Sequence, residues 1–220
     1  MTPTRILLVA TTRGYQTRMF GEAAERLGVE LVFATDRCAV IDDPWRDAAI
    51  PVRFHEPGWS VARVSEAARR APVHGVLAVG DRPAVLAAHL ARALGLPGHS
   101  PEAAAAARDK LQTKHRLQQG GLRVTPYLVR PLAIEPDRLA AEIAAGRPET
   151  GAVAFPVVIK PLALSASRGV MRADTPVQLA RALHRLRAIL TRPDVRAERD
   201  EVHDWVLVES FIDGHEFAVE

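Results

Sequence analysis

The sequence is poor in cysteine, with Cys38 as the single thiol in 220 residues. One cysteine excludes an intramolecular disulfide framework and a thiolate metal cluster, and it fits a reducing compartment. No apolar run approaches the roughly 18 residues of a membrane span. The start, MTPTRILLVATTRG, becomes polar too soon for a signal peptide. These absences predict a cytoplasmic protein without a membrane partner.

Two common nucleotide-binding signatures are also missing. The first apolar run is followed by TTRGYQT, in which Gly14 stands alone, so the GxGxxG dinucleotide fingerprint is absent. No GxxxxGK[ST] occurs, which excludes a P-loop. The formal net charge of +3 is too small to indicate nucleic acid as the main partner. Acidic residues interrupt the arginine-rich run RALHRLRAILTRPDVRAERD, which favours a solvated helix and loop over a nucleic-acid surface.

The first hundred residues alternate apolar runs with helical patterns. The runs RILLVATT, VELVFATD, IPVRF and HGVLAVGD predict strands, and helices are predicted from Thr17 to Leu27 and from Ser60 to Ala71. Continuously apolar strands separated by helices are typical of a parallel sheet. We therefore predict a Rossmann-like domain over residues 1–99. Its ligand edge would include TTRGYQT, where Arg13 or Arg18 is a candidate contact for an anionic substrate.

Residues 100–124 are predicted to form a linker helix. Ser100 is a suitable N-cap, Pro101 suits the first helical position, and Gly120 begins the stop signal. Lys110 and Lys114 lie four residues apart and therefore share a helix face. Solvation is the simpler interpretation of such a pair.

The remaining chain predicts an α+β arrangement, with one part over residues 125–205 and a second beginning at residues 206–220. Helices are expected from Pro136 to Ala145 and from Pro176 to Leu190. The segment WVLVESFIDGHEFAVE predicts two strands joined by DGH, with the chain ending inside the second. We therefore expect the front part of a longer architecture.

The stretch FPVVIKPLALSASRGV carries the first candidate chemistry. Lys160 ends an apolar run, so its stem can be buried while its ammonium group emerges at the strand end. The following loop offers the hydroxyl groups of Ser165 and Ser167 and backbone N–H groups up to Gly169, which suit phosphate oxygens. By itself the stretch is equally consistent with a lysine that protects a strand edge from aggregation.

Two glutamates flank the turn near the chain end. Glu209 lies at the end of an apolar run and Glu216 follows seven residues later. Carboxylates placed in this way can accept hydrogen bonds from ribose hydroxyl groups or an exocyclic amine. Two acidic residues that merely decorate a turn are the alternative.

Together, ARDKLQTKHRLQQGGLRVTPY, FPVVIKP, LSASRGV and VLVESFIDGHEFAVE resemble motifs of the ATP-grasp superfamily, in the branch that includes biotin carboxylase, the large chain of carbamoyl-phosphate synthase and the amino-acid ligases. The resemblance covers the whole chain. It implies an α/β chain with a Rossmann-like pre-ATP-grasp domain, a linker helix and an incomplete α+β ATP-grasp domain.

The resemblance also implies a set of ATP-binding residues. One group would contact the phosphates, with Lys110 and Lys160 as the cations and a closing loop that contains Ser165, Ser167 and Gly169. The other group would contact the nucleoside: Glu209, Ser210 and Ile212 would meet adenine largely through their backbone, and Glu216 would hold the ribose. The loop departs from many relatives because Gly169 is its only glycine.

The activity implied is that of an ATP-dependent carboxylate–amine or carboxylate–thiol ligase acting through an acyl phosphate. Its partners would be ATP and a small carboxylate, and a homodimer is compatible with the sequence. The Mg²⁺ ligands of the family are expected beyond residue 220, so we predict no metal-binding residue in this chain and little catalysis by it. The alternative is a non-catalytic nucleotide- or partner-binding module. The histidines show no metal-ligand spacing and are predicted to lie on the surface: His115, His184, His203 and His215.

Overall fold

The computed structural model of the protein describes residues 3–12, 17–36, 49–145 and 153–217. The chain divides into two compact units, Met1–Arg108 and Asp109–Glu220. In the described part of the chain, no helix combines the length and the apolar character needed to cross a membrane.

The first unit contains a parallel sheet. Its described strands are β1 (Arg5–Ala10), β2 (Glu30–Thr35), β3 (Ile50–Pro51) and β4 (Gly75–Val79), in the order β3-β2-β1-β4. Each neighbouring pair runs parallel. This finding confirms the predicted parallel sheet. The physical reason is that continuously apolar strands tolerate burial on both faces of a sheet.

Four helices accompany this sheet: α1 (Thr17–Leu27), α2 (Pro57–Arg70), α3 (Asp81–Leu94) and α4 (Pro101–Arg108). The bounds of α1 match the prediction. Helix α2 begins three residues earlier than predicted, because Pro57 occupies its first turn, where a missing N–H group costs no hydrogen bond. Leu7, Val64 and Leu90 are among the fully buried side chains that join the sheet to α2 and α3.

The second unit is built on an antiparallel sheet. Its strands are β5 (Tyr127–Pro131), β6 (Val157–Pro161), β7 (Met171–Ala173) and β8 (Trp205–Ser210), in the order β5-β8-β6-β7. Its helices are α5 (Lys110–Gln119), α6 (Pro136–Ala144), α7 (Pro176–Leu190) and the short α8 (Pro193–Arg196), and a 3₁₀ turn, Glu201–Asp204, precedes β8.

Helix α7 supplies much of the core of the second unit. Leu179, Leu183, Leu186 and Leu190 are fully buried and recur every three or four residues, as expected for one face of an α-helix. Thr175 caps the helix by accepting a hydrogen bond from Gln178 N at 3.3 Å. Helix α7 spans Pro176–Leu190, which confirms its predicted bounds.

The structure differs from the predicted linker helix over residues 100–124. Two helices, α4 and α5, meet at Asp109, whose backbone is extended with φ −99° and ψ 115°. Its carboxylate caps the start of α5, and the backbone of α4 does not continue through it. The boundary between the two units falls at the same place, so α4 and α5 belong to different units.

The chain end also differs from the prediction. Strand β8 lies between β5 and β6, so residues 206–210 share a sheet with residues 127–131 and do not begin a separate subdomain. The second predicted strand is not formed within residues 211–217, and its last residues lie outside the described part of the chain.

The predicted surface position of His203 is wrong. Its side chain is 1% exposed and its Nε2 lies 3.1 Å from Glu198 Oε2, so a carboxylate partner allows this polar ring to be buried. His115, His184 and His215 are exposed, as predicted.

Candidate functional site

The position of helix α5 is fixed by Asp109. This carboxylate accepts hydrogen bonds from Leu111 N at 2.8 Å and Gln112 N at 3.2 Å, which satisfies two donors that a helix start leaves unpaired. The N–H group of Lys110 donates to Leu162 O at 3.0 Å. The first turn of α5 is therefore attached to the residue that follows β6.

Strand β6 delivers Lys160 to the same end of the sheet. Val157, Ile159 and Pro161 are buried on one face, whereas Lys160 belongs to the alternate set of residues, which point to the other face. Its side chain is only 18% exposed. The apolar run therefore buries the lysine stem and brings its ammonium group to the strand end, as the sequence predicts.

Lys160, Lys114 and Glu209 form an ionic group that we call the lysine–glutamate cluster. Lys160 Nζ donates to Glu209 Oε1, and Lys114 Nζ lies 2.8 Å from Glu209 Oε2. In the sheet Glu209 is opposite Val158, two residues before Lys160, so the two side chains are diagonal neighbours on one face. Helix α5, which precedes β6 and β8 in the sequence, supplies Lys114.

The cluster is largely shielded from water. The side chains of Lys114 and Glu209 are 12% and 13% exposed. Burial raises the pKa of the Glu209 carboxyl, but the two ammonium groups more than offset this, and the pKa lies below its usual value. Glu209 is therefore ionised at neutral pH, and the cluster of two cations and one anion carries a net positive charge.

Tyr127 forms the wall beside Lys114. The Lys114 ammonium lies 5.1 Å from the centre of the Tyr127 ring, within the range of a cation–π interaction. The Tyr127 hydroxyl donates to Gln118 Oε1 at 3.2 Å, and burial raises the pKa of this phenol. Strand β5 and helix α5 thus hold Lys114 against Glu209.

Lys110 lies at the base of the loop that follows β6. Its Nζ donates to Leu164 O at 3.0 Å and to Leu162 O at 3.4 Å. The second predicted phosphate lysine is therefore held by backbone carbonyl groups immediately before Ser165.

The loop has an unusual backbone. Ala166 and Ser167 adopt φ values of 55° and 54°, and Gly169 adopts 81°, all in the left-handed region. Arg168 N donates to Ser165 O at 3.2 Å, which forms a turn. Ser165 and Ser167 are exposed, so their hydroxyl groups are available to a ligand.

The residues predicted to contact the nucleoside lie at and beyond the end of β8. Ser210 N donates to Pro126 O at 3.1 Å, and Ser210 Oγ accepts from Ala154 N at 3.2 Å. Ile212 is 71% exposed and Glu216 is exposed. The structure thus brings Glu209 into the cluster, while Ser210 is anchored in the sheet and Ile212 and Glu216 face solvent.

Lys114 was not predicted as a site residue, although the sequence contains a signal for it. Of the 29 lysines and arginines, only three are lysine. All three, Lys110, Lys114 and Lys160, lie at this end of the second unit. The rarity of lysine in an arginine-rich chain is therefore a signal by which the sequence could have singled out Lys114.

The described residues do not fit a magnesium site. Within the described ranges, no group of three or more His, Cys, Asp or Glu side chains is arranged to hold a metal ion. Arg13, a predicted substrate contact, lies outside the described residues, and Arg18 pairs with Glu22 on the exposed face of α1.

Comparison with known proteins identifies the family. Residues 21–98 match the ATP-grasp N-terminal domain and residues 153–220 match the ATP-grasp domain. Together these segments account for about two thirds of the chain. The chain belongs to the ATP-grasp superfamily, as the motifs predicted.

Solved structures share the fold. L-amino acid ligase from Bacillus licheniformis has a TM-score of 0.67 at 23% identity, over 97% of this chain and 48% of that chain. D-alanyl-alanine synthetase A from Vibrio cholerae O1 biovar eltor has a TM-score of 0.61 at 16% identity, over 97% of this chain and 60% of that chain. For the biotin carboxylase domain of 2-oxoglutarate carboxylase from Hydrogenobacter thermophilus, in complex with MgADP, ADP and bicarbonate, the TM-score is 0.56 at 18% identity, over 94% of this chain and 44% of that chain. Among curated proteins, none matches the sequence significantly. The chain thus spans about half the length of these structural relatives.

Proposed function

We propose that the chain is the ATP-binding front portion of an ATP-dependent carboxylate–amine or carboxylate–thiol ligase. The observation that carries this proposal is the position of two lysines directly before the loop of Ser165 to Gly169. Lys160 lies near the end of β6, and Lys110 Nζ donates to the carbonyl of Leu164. A lysine ammonium group is a compact cation suited to phosphate oxygens. Hydroxyl groups and left-handed backbone in the adjacent loop supply further donors.

In this proposal the second unit positions the triphosphate. In phosphoryl transfer the protein mainly orients the reacting groups and neutralises the negative charge of the phosphates. Lys160 would contact the α and β phosphates, Lys110 would contact the phosphates from the base of the loop, and the loop would close over them. Ser165, Ser167 and Gly169 are the loop residues that we assign to this role.

The end of β8 would hold the nucleoside. The N–H group of Ser210 already donates to Pro126 O. We therefore assign the backbone carbonyl groups of Glu209 and Ser210 as acceptors for the adenine amine and the backbone N–H group of Ile212 as the donor to the ring. The exposed Ile212 side chain offers an apolar surface to the base. Glu216 would accept hydrogen bonds from the ribose hydroxyl groups.

The proposed reaction has two steps. A carboxylate oxygen of the substrate attacks the γ-phosphorus of ATP, the bond from this phosphorus to the bridging oxygen breaks, and ADP leaves with the bond electrons. An amine or thiol then attacks the acyl carbon, the bond from this carbon to the phosphate oxygen breaks, and inorganic phosphate and a proton leave. We place the ligands of Mg²⁺ beyond residue 220 and assign no step to a metal held by the described residues.

Lys160→Met tests the proposal. We expect the affinity of the chain for ATP to fall by about tenfold or more, because a largely buried cation loses its charge. Arg116→Met is the matched control, since this exposed cation lies on α5 outside the cluster. Isothermal titration with ATP measures both variants. Equal affinities of Lys160→Met and the control would contradict the assignment.

The second candidate is a non-catalytic nucleotide-binding module. The lysines and the loop that we assign to the triphosphate also suffice for nucleotide binding without chemistry. ADP release by the chain, measured with ATP, Mg²⁺ and a panel of small carboxylates and amines, separates the two functions. Because the described residues supply no metal-binding group, the assay uses the native protein as its gene encodes it. ATP binding without ADP release by that protein supports the module, whereas carboxylate-dependent ADP release supports the ligase.

A further inference from the structure

Lys114 has no role in the function proposed above, yet it is the most enclosed cation of the lysine–glutamate cluster. We infer that Lys114 is a third phosphate-binding residue and that Glu209 is an internal anion that occupies the two lysines until a phosphate group arrives. This inference rests on the proposed function, because it concerns the same site. It adds a residue and a competition between protein and ligand.

The charge balance of the cluster is the first argument. Two ammonium groups share a single carboxylate, and all three side chains are at most 18% exposed. Excess positive charge that is shielded from water is unfavourable unless an anion compensates it. An arriving phosphate group would supply that anion, so the cluster is built to receive negative charge.

The choice of residue is the second argument. Surface ion pairs of this chain use arginine, as in the pairs Arg70–Glu66 and Arg92–Glu102. Lysine occurs at three positions only, and Lys114 is one of them. A third compact point charge next to Lys160 and Lys110 fits oxyanion binding better than a general structural role, for which the chain uses arginine.

The remaining donor capacity is the third argument. Each ammonium group has three N–H donors. Lys160 donates to Glu209 Oε1, and Lys114 contacts Oε2 at 2.8 Å and the Tyr127 ring. These contacts with one carboxylate do not use all six N–H donors of the two ammonium groups. The remaining donors can therefore bind phosphate oxygens.

A competition follows from this arrangement. Phosphate oxygens that approach Lys114 and Lys160 meet the negative charge of Glu209, and they must either displace it or share the lysines with it. Removing that charge should therefore strengthen phosphate binding, although Glu209 belongs to the site. A residue whose carboxylate served only to bind the ligand would show the opposite effect.

Inorganic triphosphate is the probe, because it carries the phosphates without the adenosine. Titration calorimetry of the full chain compares Lys114→Met, Lys160→Met, Glu209→Gln, the double variant of Lys114→Met with Glu209→Gln, and the Arg116→Met control. We expect Lys114→Met to weaken binding by about tenfold or more and Glu209→Gln to strengthen it by about three- to tenfold, with the control unchanged within about twofold.

The outcomes separate the two proposals. If Lys160→Met weakens triphosphate binding and Lys114→Met binds like the control, the inference on Lys114 is overturned and the proposed function stands. If neither lysine variant differs from the control, both are overturned. Unchanged or weaker binding by Glu209→Gln overturns the internal-anion role.

The double variant protects the test against misfolding. Glu209→Gln leaves two shielded cations without a counter-ion, whereas Lys114→Met with Glu209→Gln keeps the net charge of the cluster. If Glu209→Gln fails to fold, the double variant is compared with Lys114→Met. Tighter triphosphate binding by the double variant supports the internal-anion role, and equal or weaker binding overturns it.

Discussion

Replacing Gly169 by alanine tests how closely the loop is packed against the core of the second unit. Gly169 has φ +81°, a conformation that L-residues adopt at a cost of about 1–2 kcal/mol. A Cβ atom at this position would lie 2.9 Å from Leu186 Cδ1 and 3.3 Å from Pro161 Cδ. Leu186 is fully buried, so it has little freedom to move away.

The expected loss combines two contributions. Backbone strain contributes about 1–2 kcal/mol, and overpacking against a fixed core side chain contributes about 1–3 kcal/mol. Gly121→Ala is the matched control, because Gly121 has φ +77° in the same unit and its added Cβ would meet nothing within 4 Å. The control should therefore lose only the strain contribution.

Urea titration, with hydrogen-exchange mass spectrometry of peptides from α7 as the detection method, measures the free energy of unfolding for this unit alone. This local measurement is needed because a chain of two units need not unfold in a single step. We expect Gly169→Ala to be less stable than Gly121→Ala by about 1–3 kcal/mol. Equal losses in the two variants would refute the close-approach argument.

Three further predictions concern the cap, the cluster and the buried histidine. Asp109→Ala should reduce the free energy of unfolding by about 1–2 kcal/mol in urea titrations, whereas Asp109→Asn, which retains an acceptor, should lose less. The folded-state pKa of Glu209 is lowered, so its contribution to stability is present above about pH 5 and is lost as the pH falls through the folded pKa. When the pH is lowered from about 6 to 3, the midpoint of thermal unfolding should therefore fall further for the natural chain than for Glu209→Gln. His203→Ala should cost about 2–4 kcal/mol in urea unfolding, and the exposed His184→Ala less than about 0.5 kcal/mol; similar losses would contradict the buried position of His203.

The elements that the sequence predicted well are those with strong local patterns. Helices α1 and α7 have their predicted bounds, because apolar spacing and the Thr175–Pro176 start of α7 are encoded within the segment itself. The break at Asp109 was missed because strong helix formers lie on both sides of it, although Asp itself favours an N-cap over a helix interior. Its carboxylate is held as a cap by contacts with α5, and the division into two units separates it from α4.

The burial of His203 was missed for a different reason. A polar connection predicts exposure, and the acidic residues around His203 support that interpretation. The ring is nevertheless buried, because Glu198 provides a partner five residues earlier and β8 draws the preceding turn into the unit. Such pairing depends on the course of the chain between α7 and β8, which no periodic pattern specifies.

The sequence by itself determined the parallel sheet of the first unit, the bounds of α1 and α7, the emergence of Lys160 from a buried strand and the ATP-grasp motifs. Only the tertiary structure decided that Lys114 and Lys160 share Glu209. The physical reason is that β8 inserts between β5 and β6, which places a carboxylate from the end of the chain beside lysines 95 and 49 residues earlier. Helix periodicity and strand alternation report neighbours within one element, whereas this charge cluster depends on how three elements are assembled.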